Sequence, residues 1–590
     1  MEILAKLVLL TTFAINLCLA ASDYHEQLTL RPLPLSALLA SFNFQSNISL
    51  ADFEAHNFRL FPRSLGQILQ HAGTRELHLR FTLGRWDAER WGARPWYGTR
   101  EGGTGVELWA WLADNENNAD ANWLILTNAL SGLFCASLNF IDATRTIRPV
   151  MTFRPEGHHS NNVLGNLTLL HGVLPHEVVC TENLTPFLKL LPCKGKAGIA
   201  SLLDGHTFFD ASFQSMAIDV RPLCIPGGEC VLQMEQTIDM VLDVDRSRRP
   251  RDNPIPRPPS SEDLVCDTSK PYHDEHTCYP ADQLHGQQWH LSEIFGRPMK
   301  GVCPLADPES PAVCLQVVES RYVIATPGSR QVGQTNSPSR CYFPARNSDD
   351  FSLELTKPDA MQTGATQQDL VSPETPLLFA ERSLTGHGQE HGGVQAILTN
   401  PGDLEVEFVY MESLPWFMRI YVHTLGARVA SCASNATRPA DDASIVQHIY
   451  YRPALDRERG TQLELLVRIP PRCTVFLTYD FEKSILRYTE YPPDANRGFD
   501  VAAAVITTLS PRAGMNLRTT SLLLYLPTPD FSMPYNVIIF TSTAIALTFG
   551  GLYNILVRRL VGADEAPSAA AKVKLAQLLR KVTGRQSAAK

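Results

Sequence analysis

The chain is predicted to be mainly β: tandem antiparallel β-sandwich-like domains with a few helices, followed by one C-terminal transmembrane α-helix. Three observations predict it. Apolar residues recur with period two through much of the chain. The segments that show this are bounded by Pro, Gly and Asp, with few long helical stripes between them. A 21-residue run near the end carries no charge.

The period-two segments come in two groups. In ELHLRFTLG, Leu77, Leu79, Phe81 and Leu83 share one face, and in GVELWAWL, Val106, Leu108, Ala110 and Leu112 do. The pattern returns in DLEVEFVY with Leu404, Val406, Phe408 and Tyr410, and in QLELLVRI with Leu463, Leu465, Val467 and Ile469. Helices are secondary. SLGQILQHAG is one, with Ser64 as candidate N-cap and Gly73 as its stop. At 590 residues the chain exceeds what one core usually supports, so more than one folded unit is expected.

The ends of the chain set its compartment. MEILAKLVLLTTFAINLCLAAS has one lysine, an apolar run from Leu7 to Ala20 and a small-residue exit, the pattern of a signal peptide over 1–21. The uncharged run Val537 to Val557 is long enough at about 1.5 Å per residue to cross a bilayer core. Beyond it, eight Lys and Arg stand against Asp564 and Glu565, a balance of +6 that predicts a cytoplasmic tail over 558–590. The rest of the chain then carries −15 of the total −9, so the exported part is acidic and no nucleic-acid partner is expected. The expected architecture is single-pass type I.

Between the ends, the expected organisation is an N-terminal β-rich domain over 22–245, a Pro-rich linker and irregular region over 246–390, and a C-terminal β-rich domain over 391–530. A short juxtamembrane stalk follows over 531–536. The linker rests on RSRRPRDNPIPRPPSSE, with five prolines between Pro250 and Pro259, and on the aperiodic stretch from Thr326 to Pro376. In the tail, Ser568 to Val582 can form a short helix with Val573, Leu575, Leu578 and Leu579 apolar, suited to an anionic leaflet or simply solvated. Of 13 cysteines, Cys18 leaves with the signal peptide and the other twelve precede the membrane, where an oxidising lumen favours disulfides. Candidate glycosylation sequons stand at Asn47, Asn166, Asn183 and Asn435.

Several motifs invite a chemical reading. HEVVC, His176 to Cys180, imitates the zinc motif HExxH but lacks its second histidine, and β-branched Val178 and Val179 disfavour the helix such a site needs. Cys180 as a nucleophile would need a histidine, with His171, His176 and His206 open to that role, yet the context of known cysteine hydrolases is missing. A disulfide is the favoured fate of Cys180. HDEHTC with His285 and His290 has metal-compatible atoms, but Cys266 and Cys278 can equally close a small disulfide loop. GHGQEHGG lacks the lysine of a phosphate-binding loop and is expected to be a turn. RWDAERWGARPWYG, with Trp86, Trp91, Trp96 and Tyr97 among arginines, can stack on a peptide or glycan, or build a sandwich rim. No metal, cofactor or catalytic residue is expected.

Five blocks, in order, carry a family resemblance: SGLFCASLNFID (Ser131 to Asp142), LPHEVVCTENLTPFLKLLPC (Leu174 to Cys193), LPWFMRIYVHTL (Leu414 to Leu425), FEKSILRYTEYPPDANRGF (Phe481 to Phe499) and LPTPDFSMPYNVI (Leu526 to Ile538). The sequence resembles the PIG-T family, subunits of the endoplasmic-reticulum glycosylphosphatidylinositol (GPI) transamidase. Residues about 235 to 390 and the tail after Arg559 fall outside the resemblance.

The resemblance implies a non-catalytic scaffold that stabilises and orients a cysteine-protease-like subunit, PIG-K, within a membrane complex. That complex exchanges a C-terminal signal on precursor proteins for a GPI lipid, through a thioester on the partner's cysteine. The family's interchain disulfide to the catalytic subunit falls on the cysteine of the CTENLTP block, Cys180 here. The implied partners are thus a PIG-K-like subunit, other membrane subunits, the GPI lipid and precursor proteins. One cysteine used between chains leaves eleven, so at least one other is free or also intermolecular. Two rival readings remain open at this level: a cell-surface adhesion or receptor ectodomain, and a membrane-anchored luminal cysteine hydrolase using Cys180.

Overall fold

The computed structural model describes most residues from 24 to 557, together with 574–579 and 581. The stretches 1–23, 248–265, 280–287, 357–372 and 434–443, with several shorter ones, lie outside the described residues. The expected signal peptide, most of the Pro-rich run and Asn435 fall there. Residues 1–527 form one compact unit and 528–590 a second.

The first unit begins with an 11-stranded sheet. In chain order its strands are β1 (Tyr24–Leu33), β2 (Ala37–Ser49), β3 (Thr74–Gly84), β4 (Gly105–Ala113), β5 (Thr146–Ile147), β6 (Leu167–Leu174), β7 (Phe213–Cys224), β8 (Cys230–Asp243), β9 (Val313–Gln316), β10 (Arg330–Val332) and β11 (Ser339–Phe343). Their spatial order is β10-β11-β9-β1-β2-β8-β7-β3-β4-β6-β5. All neighbours run antiparallel except β1 and β9, where Leu28 faces Val313 in parallel register.

One face of this sheet carries the apolar alternates and is covered by helices. Leu77, Leu79 and Phe81 of β3 and Val106, Leu108, Ala110 and Leu112 of β4 are fully buried there, as period two requires, while Leu83 at the end of β3 is exposed. Over them lie α1 (Arg63–His71), α2 (Ala119–Phe134) and α3 (Thr181–Leu190), whose Leu65, Trp123, Leu130 and Phe187 join the same core. The second layer of the N-terminal domain is therefore helical. Ser64, expected as an N-cap, lies inside the first turn of α1, and Pro62 takes the cap position. Pro62 there sacrifices no helical bond, because first-turn N–H groups have no intrahelical acceptor. Gly73 ends the helix in left-handed conformation, as its position implied.

Residues 289–355 are built into this first core. Trp289, Leu291, Phe295, Met299, Leu315 and Leu353 are buried in it, and β9 to β11 extend its sheet. Their strands are three to five residues long, too short for an alternating pattern to register in sequence.

The C-terminal part is a sandwich of two sheets. One holds β12 (Phe379–Thr385), β13 (His391–Thr399), β18 (Cys473–Lys483) and β15 (Met418–Cys432). The other holds β16 (Val446–Arg452), β17 (Thr461–Ile469), β14 (Val406–Leu414), β19 (Val505–Ser510) and β20 (Asn516–Arg518). Val406, Phe408 and Tyr410 from β14 and Leu463, Leu465 and Val467 from β17 meet Val475, Leu477 and Tyr479 of β18 in one core. Leu404 precedes the strand and is exposed. GHGQEHGG spans the β12–β13 turn and the start of β13, where Thr385 pairs with Gly393.

The other face of the N-terminal sheet carries the polar alternates, and they too are buried. His78 lies between Glu76 (2.9 Å) and Asp219 (2.5 Å), and Asp219 also accepts from Arg80 at 2.6 Å. Arg100 and Arg221 bridge Glu156 and Glu235 beside them. The sandwich packs onto this face. Met411 and Val505 meet Trp109, Ile147, Phe153 and Leu169, and Arg518 grips Glu107 with two bonds of 3.1 and 3.0 Å. Glu464 of β17 accepts from the backbone N–H groups of Val150 (2.8 Å), Met151 (2.7 Å) and Thr152 (2.9 Å) and from the Thr152 hydroxyl (3.0 Å).

Asp239 shows what this burial costs an acid bonded by neutral donors rather than by a cation. It accepts from Trp96 Nε1 at 3.3 Å, and burial pushes its carboxyl up from 3.8 to about 7. A raised carboxylate costs stability above its unfolded value, and the cost is complete above the folded one. Asp239→Asn is therefore expected to raise stability by about 1–2 kcal/mol at neutral pH and by little near pH 4. Melting curves at the two pH values check it, and an equal gain at both would refute the burial argument.

The second unit contains α4 (Ser532–Val557), whose residues 535–557 are long and apolar enough to cross a membrane. It begins earlier than the expected span, so Ser532 to Asn536 of the expected stalk form its first turn. Pro534 is tolerated there because first-turn N–H groups have no intrahelical acceptor. Thr541, Ser542, Thr543 and Thr548 return their hydroxyls to carbonyls of their own helix. Residues 574–579 of the tail are helical, with Leu575, Leu578 and Leu579 exposed.

Candidate functional site: the two free thiols

Ten cysteines close five disulfides: Cys193–Cys303, Cys224–Cys230, Cys266–Cys278, Cys314–Cys341 and Cys432–Cys473. Two remain free among the described residues, Cys135 and Cys180. They stand on neighbouring loops joined by one side chain.

Cys180 is the N-cap of α3, held extended at φ −143° and ψ −176°. Asn183, in the third helical position, turns its amide back: Oδ1 accepts the Cys180 N–H at 2.8 Å. Its Nδ2 donates to the carbonyls of Phe134 (3.0 Å) and Cys135 (3.2 Å) at the end of α2. A single buried amide thus satisfies an orphan donor at the start of one helix and orphan acceptors at the end of another. Glu177 adds a second stitch by accepting the Ser137 N–H at 2.8 Å. Val179, Leu184 and Phe187 anchor this segment in the core, while Val178 and Phe140 are left exposed on the same two loops.

HEVVC is a turn followed by irregular backbone rather than a helix, so His176 and Cys180 do not share a helix face. His176 is exposed and held below its ordinary pKa by desolvation and then by the Arg145 guanidinium. Among the described residues it makes no hydrogen bond to Cys180. His171 is buried and bonded to Glu107 at 3.0 Å on the opposite face of the sheet, and His206 is an exposed residue of a short helix. Among the described residues none of these three histidines hydrogen-bonds Cys180, although Gly205, next to His206, packs against Thr181.

The sequons differ sharply in exposure. Asn166 is exposed, and Asn47 is half-buried on β2, accepting from Gln233 Nε2 at 3.2 Å. Asn183 is 2% exposed with both N–H groups engaged, which leaves no room for a glycan on that nitrogen. Thr185→Ala, which destroys the sequon but spares the amide, is expected to change neither mobility nor stability. Asn183→Ala should cost about 1–3 kcal/mol, since it strands one donor and two acceptors. Glycopeptide mapping and melting of the two variants check this; a mobility shift for Thr185→Ala would show a glycan there.

The Trp-rich motif packs as a rim. Trp86 is buried, meets Trp91 and Phe213 edge-on, and donates to Gly92 O at 2.9 Å. Trp96 and Tyr97 stay partly exposed, with the Arg512 guanidinium 4.7 Å from the Tyr97 ring. The motif lines a cleft of about 1310 Å³ beside the sandwich.

Sequence reasoning found Cys180 and missed Cys135 and the role of Asn183. The signal for the second was present as a capping pattern, a cap residue followed three positions later by a side-chain amide, here read as a sequon.

A family model described as "Gpi16 subunit, GPI transamidase component" matches residues 7–583, including the 235–390 stretch and the tail that the block resemblance left out. The GPI transamidase component GPI16 of Saccharomyces cerevisiae is 39% identical, covering 95% of this chain and 93% of that protein. The GPI transamidase component PIG-T homolog of Schizosaccharomyces pombe is 36% identical over 94% and 93%. The GPI-anchor transamidase component PIGT of Homo sapiens is 32% identical over 98% of both. Solved structures resemble it only faintly: a Vibrio harveyi exo-β-N-acetylglucosaminidase at 8% identity covers 26% of this chain and 19% of that one with a TM-score of 0.15.

Proposed function

The chain belongs to the Gpi16 family of GPI transamidase components, and on that premise we propose that it is the non-catalytic scaffold of the complex. It stabilises and orients a PIG-K-like catalytic subunit, tied to it by a disulfide through Cys180. It sits in the endoplasmic-reticulum membrane with its β-rich part in the lumen and its basic tail in the cytoplasm. GPI lipid and precursor proteins are substrates of the assembly rather than of this chain. The observation that carries the reading is the free, half-exposed thiol of Cys180 in a chain where ten other cysteines are paired internally. That none of the three histidines hydrogen-bonds Cys180 among the described residues supports a tether over a nucleophile, because an activated thiol is paired with a base. Gly550 and Gly551 leave open backbone on α4 where other membrane helices can pack.

A covalent tether keeps the partner at millimolar effective concentration without adding a contact. In alkylated native extracts run without reductant, the wild type is expected to migrate as a covalent heterodimer and Cys180→Ser as a monomer. GPI attachment should weaken but persist through the remaining contacts. A wild-type chain seen only as monomer would overturn the tether. Complete loss of transfer by Cys180→Ser in an otherwise intact complex would favour a catalytic thiol instead.

A further inference from the structure

We propose that the helix in the basic tail docks on the anionic lipid surface beside the spanning helix, giving the chain a second hold on the membrane. The inference goes beyond the scaffold reading and rests on its placement of the tail in the cytoplasm.

Residues 574–579 are helical, and so is Lys581. Leu575 and Leu578 stand one turn apart on this helix and are 63% and 60% exposed, as open as Val537 and Ile545 in the apolar span of α4. Leu579 shares their face by spacing, and the sequence repeats that spacing at Val582. Lys574 and Lys581 border the face, four and three residues from Leu578, so their stems can follow an apolar surface while the ammonium groups reach phosphate. From Lys572 to Arg585 the sequence holds five Lys and Arg and no acid, a charge that complements an anionic leaflet. A helix this short is marginal in water and needs a surface to hold it. The sixteen residues 558–573 separate it from the end of α4 and can reach roughly 50 Å when extended, so it can return to the leaflet from which α4 emerges. Apolar face and bordering cations act together, which separates an interfacial helix from a solvated basic tail.

The test is hydrogen–deuterium exchange on the intact complex in nanodiscs of phosphatidylcholine, and in nanodiscs with a third of that lipid replaced by phosphatidylserine. Tail peptides covering 572–585 are expected to exchange about tenfold more slowly in the anionic lipid, and high salt should remove most of the difference. Leu575→Gln with Leu578→Gln, and separately Lys574→Gln with Lys581→Gln, should each abolish it while exchange of α4 and the luminal part stays unchanged. Equal exchange in the two lipids, or a difference that survives either double variant, would overturn the proposal. Slow exchange in both lipids that is lost when the chain is reconstituted alone would overturn it in favour of a protein partner. An epitope placed after Lys590 and probed on sealed microsomes separates the two levels. An epitope hidden until detergent is added refutes the cytoplasmic placement itself, whereas an accessible one without lipid-dependent protection refutes only the docking.

Discussion

Asp219→Ala is expected to destabilise the protein by on the order of 3–5 kcal/mol, because it removes the one carboxylate that three buried cations share. Asp219 accepts from His78 and Arg80 and lies 3.4 Å from Arg100, and neither it, His78 nor Arg80 has measurable exposure. Those cations hold the Asp219 carboxyl well below the usual carboxylate range, and the facing acids raise His78 to about 9 despite its burial. The histidine donors likewise bring Glu76 down to about 2.

The pH dependence has two limbs. For Glu76 and Asp219, whose folded values are depressed, the stabilisation is present above their unfolded values near 4 and is lost as pH falls toward 2 and below. For His78, whose folded value is raised, it is present below 6.5 and is lost as pH rises through about 9. The wild type should therefore be most stable in mildly acidic to neutral solution, and Asp219→Ala should flatten both limbs. Thermal or urea unfolding of the full chain in detergent, followed by tryptophan fluorescence, reports this directly, since Trp109 stacks on His78 at 4.9 Å. A loss below about 1 kcal/mol would mean that the network has no net stabilising role.

Glu464→Ala is the second large effect. Its carboxylate receives four donors from residues 150–152 and one from Gln462, and it is fully buried. Removal leaves three backbone N–H groups and two side-chain donors without their acceptor, a cost of about 4 kcal/mol if water reaches only some of them. Because the bonds join β17 to a loop of the N-terminal domain, the loss should fall on the union of the two. Unfolding is expected to separate into two transitions, with protease cutting between the domains ahead of global unfolding. Glu464→Gln, which keeps one acceptor oxygen, should lie between. A single unshifted transition for Glu464→Ala would show that the apolar contact of Met411 and Val505 with Trp109 and Phe153 suffices alone. If the chain works as a rigid scaffold, GPI attachment should suffer more from Glu464→Ala than from Cys180→Ser, since the latter removes a tether and leaves the geometry.

The legible part of this protein is what depends on near neighbours. Leu77, Leu79 and Phe81, or Leu463, Leu465 and Val467, declare a buried strand face because side chains two apart point the same way. The uncharged run ending at Val557 declares a spanning helix because length and polarity alone decide that outcome. Cysteine usage pointed to disulfides, five of which form, and the CTENLTP block singled out Cys180.

Tertiary structure decided what lies across the chain from each residue. Glu76, His78 and Arg80 alternate with apolar neighbours and look like a solvated strand face, yet they are buried, because partners on β7 and loops after β5 satisfy them and the sandwich covers that side. Residues 289–355 look irregular because their strands are short, and they order by joining a sheet already built. Glu464 finds its donors 312 to 314 residues away. Asn183 carries the letters of a glycan acceptor and serves as a buried clamp between helices. Local sequence records how each strand or helix divides itself between water and core. Which second surface then covers its polar side, and which two of twelve cysteines remain unpaired, depends on long-range packing that no window of neighbouring residues contains.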